Sequence, residues 1–312
     1  MKKADYQFLL ELLQENAGWN FGETEYFMVD KKISGFVREK GYSTVEDLIA
    51  ELRLGSRALV EQVVEALALS DTYFFRDYQV FRRFEDYLLP ALREANRGSK
   101  KLRIWSLGCS TGQEAYSIAM AVNRKLVGIN DWEVRIIAND LSSQSIAKAQ
   151  KGLYSMFEVQ MGLTAAMIID NFTLVKDMWQ INPGIQKMVD FRRYNILDEV
   201  TAPHRFEVVF CRNLLRFFTP EYQHLLLEKI YHKQINGGFL YLGIDEKLFG
   251  IEDFYQPVKG FSCLYQAKKA ATDPRPIPSV PLSSDRQNMP SFQKPDSLRD
   301  NHPLISDLLK NK

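Results

Sequence analysis

From Leu102 onward, short apolar runs that end in polar residues alternate with helical patterns. "LRIWSLG" reads as a strand, "EAYSIAMAVNRKLVG" as a helix, "EVRIIAND" as a strand and "SSQSIAKAQKG" as a helix. "MVDFRRYN", "RFEVVFCRN" and "GGFLYLGID" follow as strands, with "PEYQHLLLEKIYHKQ" as a helix between the last two. Such alternation demands a parallel sheet with helices on both faces, so the expected fold class is α/β and Rossmann-like. Ligands of these sheets bind beyond the C-terminal strand ends, and every polar strand end quoted falls on that edge.

Three stretches depart from the alternation. Residues 1–69 carry helical stripes, as in "DYQFLLELLQENAG" and "SRALVEQVVEALALS", and no strand, which predicts an all-helical N-terminal domain. After the second helix, "FTLVKDMWQINPGIQKMVDFRRY" reads as a hairpin with Pro183 at i+1 and Gly184 at i+2 of its turn, preceded by "GLYSMFEVQMGLTAAMIIDN". It predicts a small β-subdomain inserted at about residues 152–192 of a domain spanning 70–269. Seven of the twelve prolines lie in residues 270–312, which predicts a disordered tail whose partner, if any, the sequence does not name.

Composition removes several function classes. A net charge of +1 gives no overall field toward nucleic acid. No apolar run is long enough to insert in a membrane, and Glu11 and Glu15 break the N-terminal one, which therefore does not read as a signal peptide. Cys109, Cys211 and Cys263 form no CxxC pair, and the four histidines form no cluster. The expectation is a protein of the reducing cytoplasm without a metal site.

The candidate chemistry starts at "GCSTGQE", where Gly108 and Gly112 flank a strand-to-helix turn. Glu114 occupies the first helical turn, where a carboxylate repels a pyrophosphate. It either complements the helix dipole or meets a ligand carrying hydroxyls or positive charge. Asp140, after the second strand, either caps the next helix or grips ribose hydroxyls. Together the two acids favour a nucleoside without phosphates, and S-adenosylmethionine fits that description better than a dinucleotide.

"SDTYFFRD", "GCSTGQEAYSIA", "AND", "RYNILD" and "FEVVFCRNLLRFF" fall in the order and spacing of the CheR family, which this chain resembles over roughly residues 6–268. The resemblance implies a class I methyltransferase domain and transfer of methyl from S-adenosylmethionine, leaving S-adenosylhomocysteine, to glutamates of a chemoreceptor-like protein. It also implies cofactor contacts from Ser70, Thr72, Arg76, Glu114, Asp140, Asn195, Ile196, Arg212 and Asn213, to which the glycine turn adds Gly108, where a ligand can approach the backbone closely. Arg76 is the catalytic candidate, orienting the incoming carboxylate or holding the methionine carboxylate of the cofactor. The aromatics of "TYFFR" are expected to form a lid over the methyl group.

The chain departs from the family in four places. Phe217 stands where the family usually has tyrosine, and "GIDEK" replaces its Gly-His-Ser-Glu segment. Residues 1–69 hold eight Lys/Arg against twelve Asp/Glu, in place of a strongly basic receptor-docking helix, and the inserted subdomain shows no obvious receptor-tether loop. Two further readings therefore stand beside the enzyme: a cofactor-binding interaction or sensory module, and a small-molecule methyltransferase.

Overall fold

The computed structural model describes residues 1–68, 70–126, 128–198, 205–247 and 252–268. The tail expected at 270–312 lies outside the described residues. No helix among them is long and apolar enough to cross a membrane.

The chain opens with four helices: α1 (Lys3–Ala17), α2 (Tyr26–Lys40), α3 (Val45–Leu52) and α4 (Arg57–Leu67). Their starts follow the local chemistry. Thr44 accepts from the Asp47 amide in a capping box, and the Ser56 hydroxyl accepts from the Leu59 amide. After α5 (Tyr78–Arg83) and α6 (Leu89–Ala95) the alternating pattern begins. It runs β1 (Lys101–Leu107), α7 (Gln113–Lys125), β2 (Glu133–Asp140), α8 (Ser143–Lys151).

A small antiparallel sheet follows, made of β3 (Leu153–Tyr154), β4 (Phe172–Val175) and β5 (Met178–Ile181), with α9 (Met156–Gln160) and α10 (Ala165–Asn171) between β3 and β4. Its hairpin turns at Lys176 and Asp177, with Lys176 left-handed (φ 55°), and not at Pro183 and Gly184. Pro183 instead opens the short helix α11 (Pro183–Gln186), where a missing N–H costs nothing. Then come β6 (Val189–Arg193), β7 (Phe206–Cys211), α12 (Pro220–Lys233), β8 (Gln234–Leu242), β9 (Tyr255–Pro257) and β10 (Leu264–Ala267).

The large sheet has the order β6-β2-β1-β7-β8-β10-β9, parallel from β6 through β8 and antiparallel beyond. The chain reverses its direction of spread between β1 and β7, which opens a crevice at their C-terminal ends. Side chains along the central strands face two cores. Ile104, Val208, Phe210 and Tyr241 pack with Phe74, Phe75, Phe81 and α7. Trp105, Val209, Leu240 and Leu242 pack with α12 and with the N-terminal helices through residues such as Leu9, Leu13 and Val63. The helical segment is thus fused to the sheet through shared apolar burial. Glu65 of α4 also accepts from the Ser143 hydroxyl and the Gln144 amide at the start of α8, anchoring that segment above the strand ends.

Candidate active site

A cavity of about 370 Å³ lies at the C-terminal ends of β1, β2, β6 and β7. That is within the range of small-molecule sites. Ser70, Thr72, Arg76, Gly108, Glu114, Asp140, Asn195, Ile196, Arg212 and Asn213 all line it. The sheet topology brings these residues together because each follows a strand that ends on the same edge, or sits in the segment before α5 that covers that edge.

The turn after β1 is built by glycines where backbone and packing leave no choice. Gly108 is left-handed (φ 67°), and a Cβ there would stand 3.2 Å from the Leu214 side chain. Gly112 (φ 96°) precedes α7, and a Cβ would come within 2.8 Å of the Ala149 Cβ. Ser110 between them is left-handed too (φ 50°), as are Phe75, Asp77 and Asn213. Four non-glycine residues in this conformation, all in loops at or beside the cavity, mark a backbone shaped by its surroundings and not by local preference.

The electrostatic core is a buried ion-pair network. Arg212 has a fully buried guanidinium that donates to Glu114 Oε2 at 3.1 Å, to Asp77 Oδ2 at 2.7 Å and to the Arg76 carbonyl at 2.9 Å. The Ser106 hydroxyl donates to the other Glu114 oxygen at 2.8 Å. Burial pushes the Glu114 carboxyl above its ordinary value, while Arg212, Ser106 and Arg76 pull it back. Asp140 is buried as well. Its carboxylate accepts the Ser110 amide at 2.8 Å and the Ser142 amide at 2.9 Å, and burial raises its pKa against those bonds. Ser142, not Asp140, is the N-cap of α8. Each Asp140 oxygen therefore keeps lone-pair capacity for a further donor.

The aromatic wall does not come from "TYFFR". Phe74 and Phe75 turn into the core against Tyr154, Phe172 and Phe81, and only Tyr73 stands near the Arg76 guanidinium, 5.7 Å from ring centre. The cavity's rings are Trp19, Phe21, Tyr194, Phe217 and Phe218. Trp19 stacks on Phe21 at 5.4 Å, and Phe21 meets Phe217 edge-on at 6.1 Å. A short β-bridge between Trp19 and Phe218, with the Asn20 amide donating to the Phe217 carbonyl at 2.7 Å, fixes this wall. The N-terminal segment therefore shapes the site as well as packing on it. Its signal in the sequence was "GWNFG", an alternating aromatic pair just past the glycine that ends α1.

Two more residues escaped the sequence reading. Ser110 lines the cavity with a buried hydroxyl that has no partner among the described residues. Glu246, in "GIDEK", is buried and accepts the amides of Asn213 (2.8 Å), Gly243 (2.7 Å) and Arg216 (3.4 Å).

The donor set fits S-adenosylmethionine. Two carboxylates suit hydroxyls and an ammonium, and the buried hydroxyl of Ser110 and Nε of Arg212 have no other partner among the described residues. Comparison with known proteins agrees. The CheR methyltransferase SAM-binding domain matches residues 70–263. Chemotaxis protein methyltransferase 1 of Pseudomonas aeruginosa is 32% identical over 270 residues, covering 85% of this chain and 98% of that protein. Chemotaxis protein methyltransferase Cher2 of Pseudomonas putida is 31% identical with the same coverage, and the chemotaxis protein methyltransferase of Borreliella burgdorferi is 28% identical over 80% of this chain and 89% of its own length. With this family match across most of its length, and a cavity whose acids and rings suit that cofactor, the chain belongs to the CheR methyltransferase family.

Proposed function

We propose that this S-adenosylmethionine-dependent methyltransferase acts in the cytoplasm on glutamate side chains of a chemoreceptor-like signalling protein. The observation that carries the reading is the cavity itself, which joins two buried carboxylates, an aromatic wall and exposed arginine at one sheet edge. In this reading residues 70–269 form the catalytic domain, 1–69 a helical domain that also closes the site, and about 152–192 an inserted subdomain.

When bound, the cofactor supplies a methyl group on a positively charged sulfur. We assign the protein's residues as follows. Asp140 accepts from the ribose hydroxyls, and Asn195 and Ile196 border the adenine. Glu114, held by Arg212, faces the ammonium, with Ser70, Thr72 and Asn213 completing the methionine end. Gly108 lets the ligand approach the backbone. Arg76 holds a carboxylate, that of the acceptor or that of the cofactor. The acceptor glutamate is already ionised, with a reference pKa of about 4.3, so no general base is needed. What the site contributes is alignment and exclusion of water, and the rings of Trp19, Phe21 and Phe217 suit a dispersing positive charge.

Incubation with radiolabelled S-adenosylmethionine and membranes of the source organism should give base-labile methyl label on a membrane protein. Asp140→Ala should weaken S-adenosylhomocysteine binding by about 1–3 kcal/mol, because the ribose loses its acceptor. Calorimetry that finds equal affinity would remove Asp140 from the cofactor's contacts.

Phe217 favours the second reading, a binding module with little turnover, because the ring lacks a hydroxyl beside the proposed reaction centre. Methyl transfer to a carboxylate moves no proton, so a hydroxyl there adds on the order of 1 kcal/mol, a several-fold change in rate. Phe217→Tyr should therefore leave methylation similar or raise it several-fold. Turnover that appears only in Phe217→Tyr would favour the module.

A further inference from the structure

Six charged side chains line the cavity: Asp71, Arg76, Glu114, Asp140, Arg212 and Arg216. The reading above, on which this inference rests, brings two carboxylates to the site, the cofactor's and the acceptor's. Three arginines are present, but they are not equivalent. Arg212 is already balanced between Glu114 and Asp77 and is fully buried. Arg76 is mostly buried, with its guanidinium 2.8 Å from the Asp71 carbonyl and 3.6 Å from its carboxylate. Arg216 is exposed at the mouth and makes no ion pair among the described residues.

We propose that Arg216 is a specificity-determining residue that receives the acceptor's carboxylate at the cavity mouth. Its backbone is fixed by Glu246, which accepts the Arg216 amide at 3.4 Å. Its guanidinium lies over the Phe217 ring, 4.7 Å from the centre, which holds the planar fork at the wall of the cavity. A cation in this position is open to a side chain presented by a macromolecule. Arg76, set deeper, is left for the carboxylate of the cofactor. A bidentate arginine–carboxylate contact also selects an ionised glutamate over its amide, which offers one acceptor oxygen and no charge.

The test uses the full chain, radiolabelled S-adenosylmethionine, membranes of the source organism, and the variants Arg216→Met and Arg216→Lys. Arg216→Met should unfold at the wild-type temperature and bind S-adenosylhomocysteine within about twofold of wild type by calorimetry. At low membrane concentration its labelling rate should fall about tenfold or more. The membrane concentration for half-saturation should rise more than the saturated rate falls. Arg216→Lys should recover part of the loss, since the charge stays and the fork goes. Equal labelling by wild type and Arg216→Met overturns the assignment and leaves Arg216 a solvent-facing cation. An affinity for S-adenosylhomocysteine lost about tenfold overturns it too, giving the residue to the cofactor. Wild-type protein that binds S-adenosylhomocysteine and labels nothing refutes the methyl-transfer reading, and this assignment with it.

Discussion

Replacing Arg212 by methionine is expected to destabilise the protein by about 3–5 kcal/mol and to remove cofactor binding. Methionine can fill much of the space and keep contact with the Phe81 ring, which lies 5.5 Å from the guanidinium carbon. What it cannot do is balance Glu114 and Asp77, whose side chains are only 12% and 23% exposed. The cost comes from stranding two carboxylates, one of which, Glu114, sits where burial already disfavours its charged form. The triple variant Arg212→Met, Glu114→Gln, Asp77→Asn should therefore regain most of the lost stability, because no unpaired charge remains. It should not regain S-adenosylhomocysteine binding, because the carboxylate proposed for the ammonium is gone. Denaturant midpoints and calorimetry on the two variants separate these effects. A single variant as stable as the wild type would mean that water reaches Glu114 freely when the arginine is absent.

The same network explains which parts of the site could be read from the sequence. Gly108 and Arg212 directly follow β1 and β7, Asp140 ends β2, and Glu114 sits in the first turn of the helix after β1; a parallel sheet brings such positions to one edge whatever the loops do. The inserted β-structure was visible through its short apolar runs, but its turn was not. Pro-Gly is the stronger turn signal, yet Lys176 takes the left-handed conformation and Pro183 starts a helix. The aromatic triplet posed a different problem. Tyr73, Phe74 and Phe75 have no period, so which ring faces core or cavity depends on the backbone between them. The backbone is left-handed at Phe75 (φ 49°) and Asp77 (φ 59°), and both Phe74 and Phe75 are buried in the core.

The wall formed by Trp19 and Phe21 was hidden because an amphipathic segment announces burial without saying against what. Here the segment packs on the sheet and lends two rings to the cavity. Helical stripes alone gave it only a packing role, and the pairing of Trp19 with Phe218 spans nearly two hundred residues. The alternating aromatics of "GWNFG" are a local pattern, but nothing in them names Phe218 as the partner.

Glu246 is where the sequence said least and the structure implies most. Glu246→Ala is expected to cost roughly 2–4 kcal/mol, since buried amides bonded to a carboxylate lose their acceptor. Both short bonds, from Asn213 and Gly243, end on the same oxygen, Oε2, while the longer one from Arg216 ends on Oε1. Glutamine can present its one carbonyl oxygen to the first two amides and must then turn its NH2 toward the third. Glu246→Gln should therefore keep much of the stability, losing on the order of 1 kcal/mol for the removed charge and the donor facing a donor. Function should be more sensitive than stability. Asn213 is left-handed (φ 58°) with its amide tied to this carboxylate, and the loop it leads carries Arg216 and Phe217 into the cavity wall. Without the anchor the loop can relax toward an ordinary conformation, so Glu246→Ala should lose methyl transfer even where it remains folded, and S-adenosylhomocysteine affinity should fall with it. Chemical denaturation, calorimetry and the labelling assay on both variants give the three quantities. If Glu246→Ala matched the wild type in all three, the backbone after β7 would be held by packing against Leu214 and Leu215, and the carboxylate would be incidental.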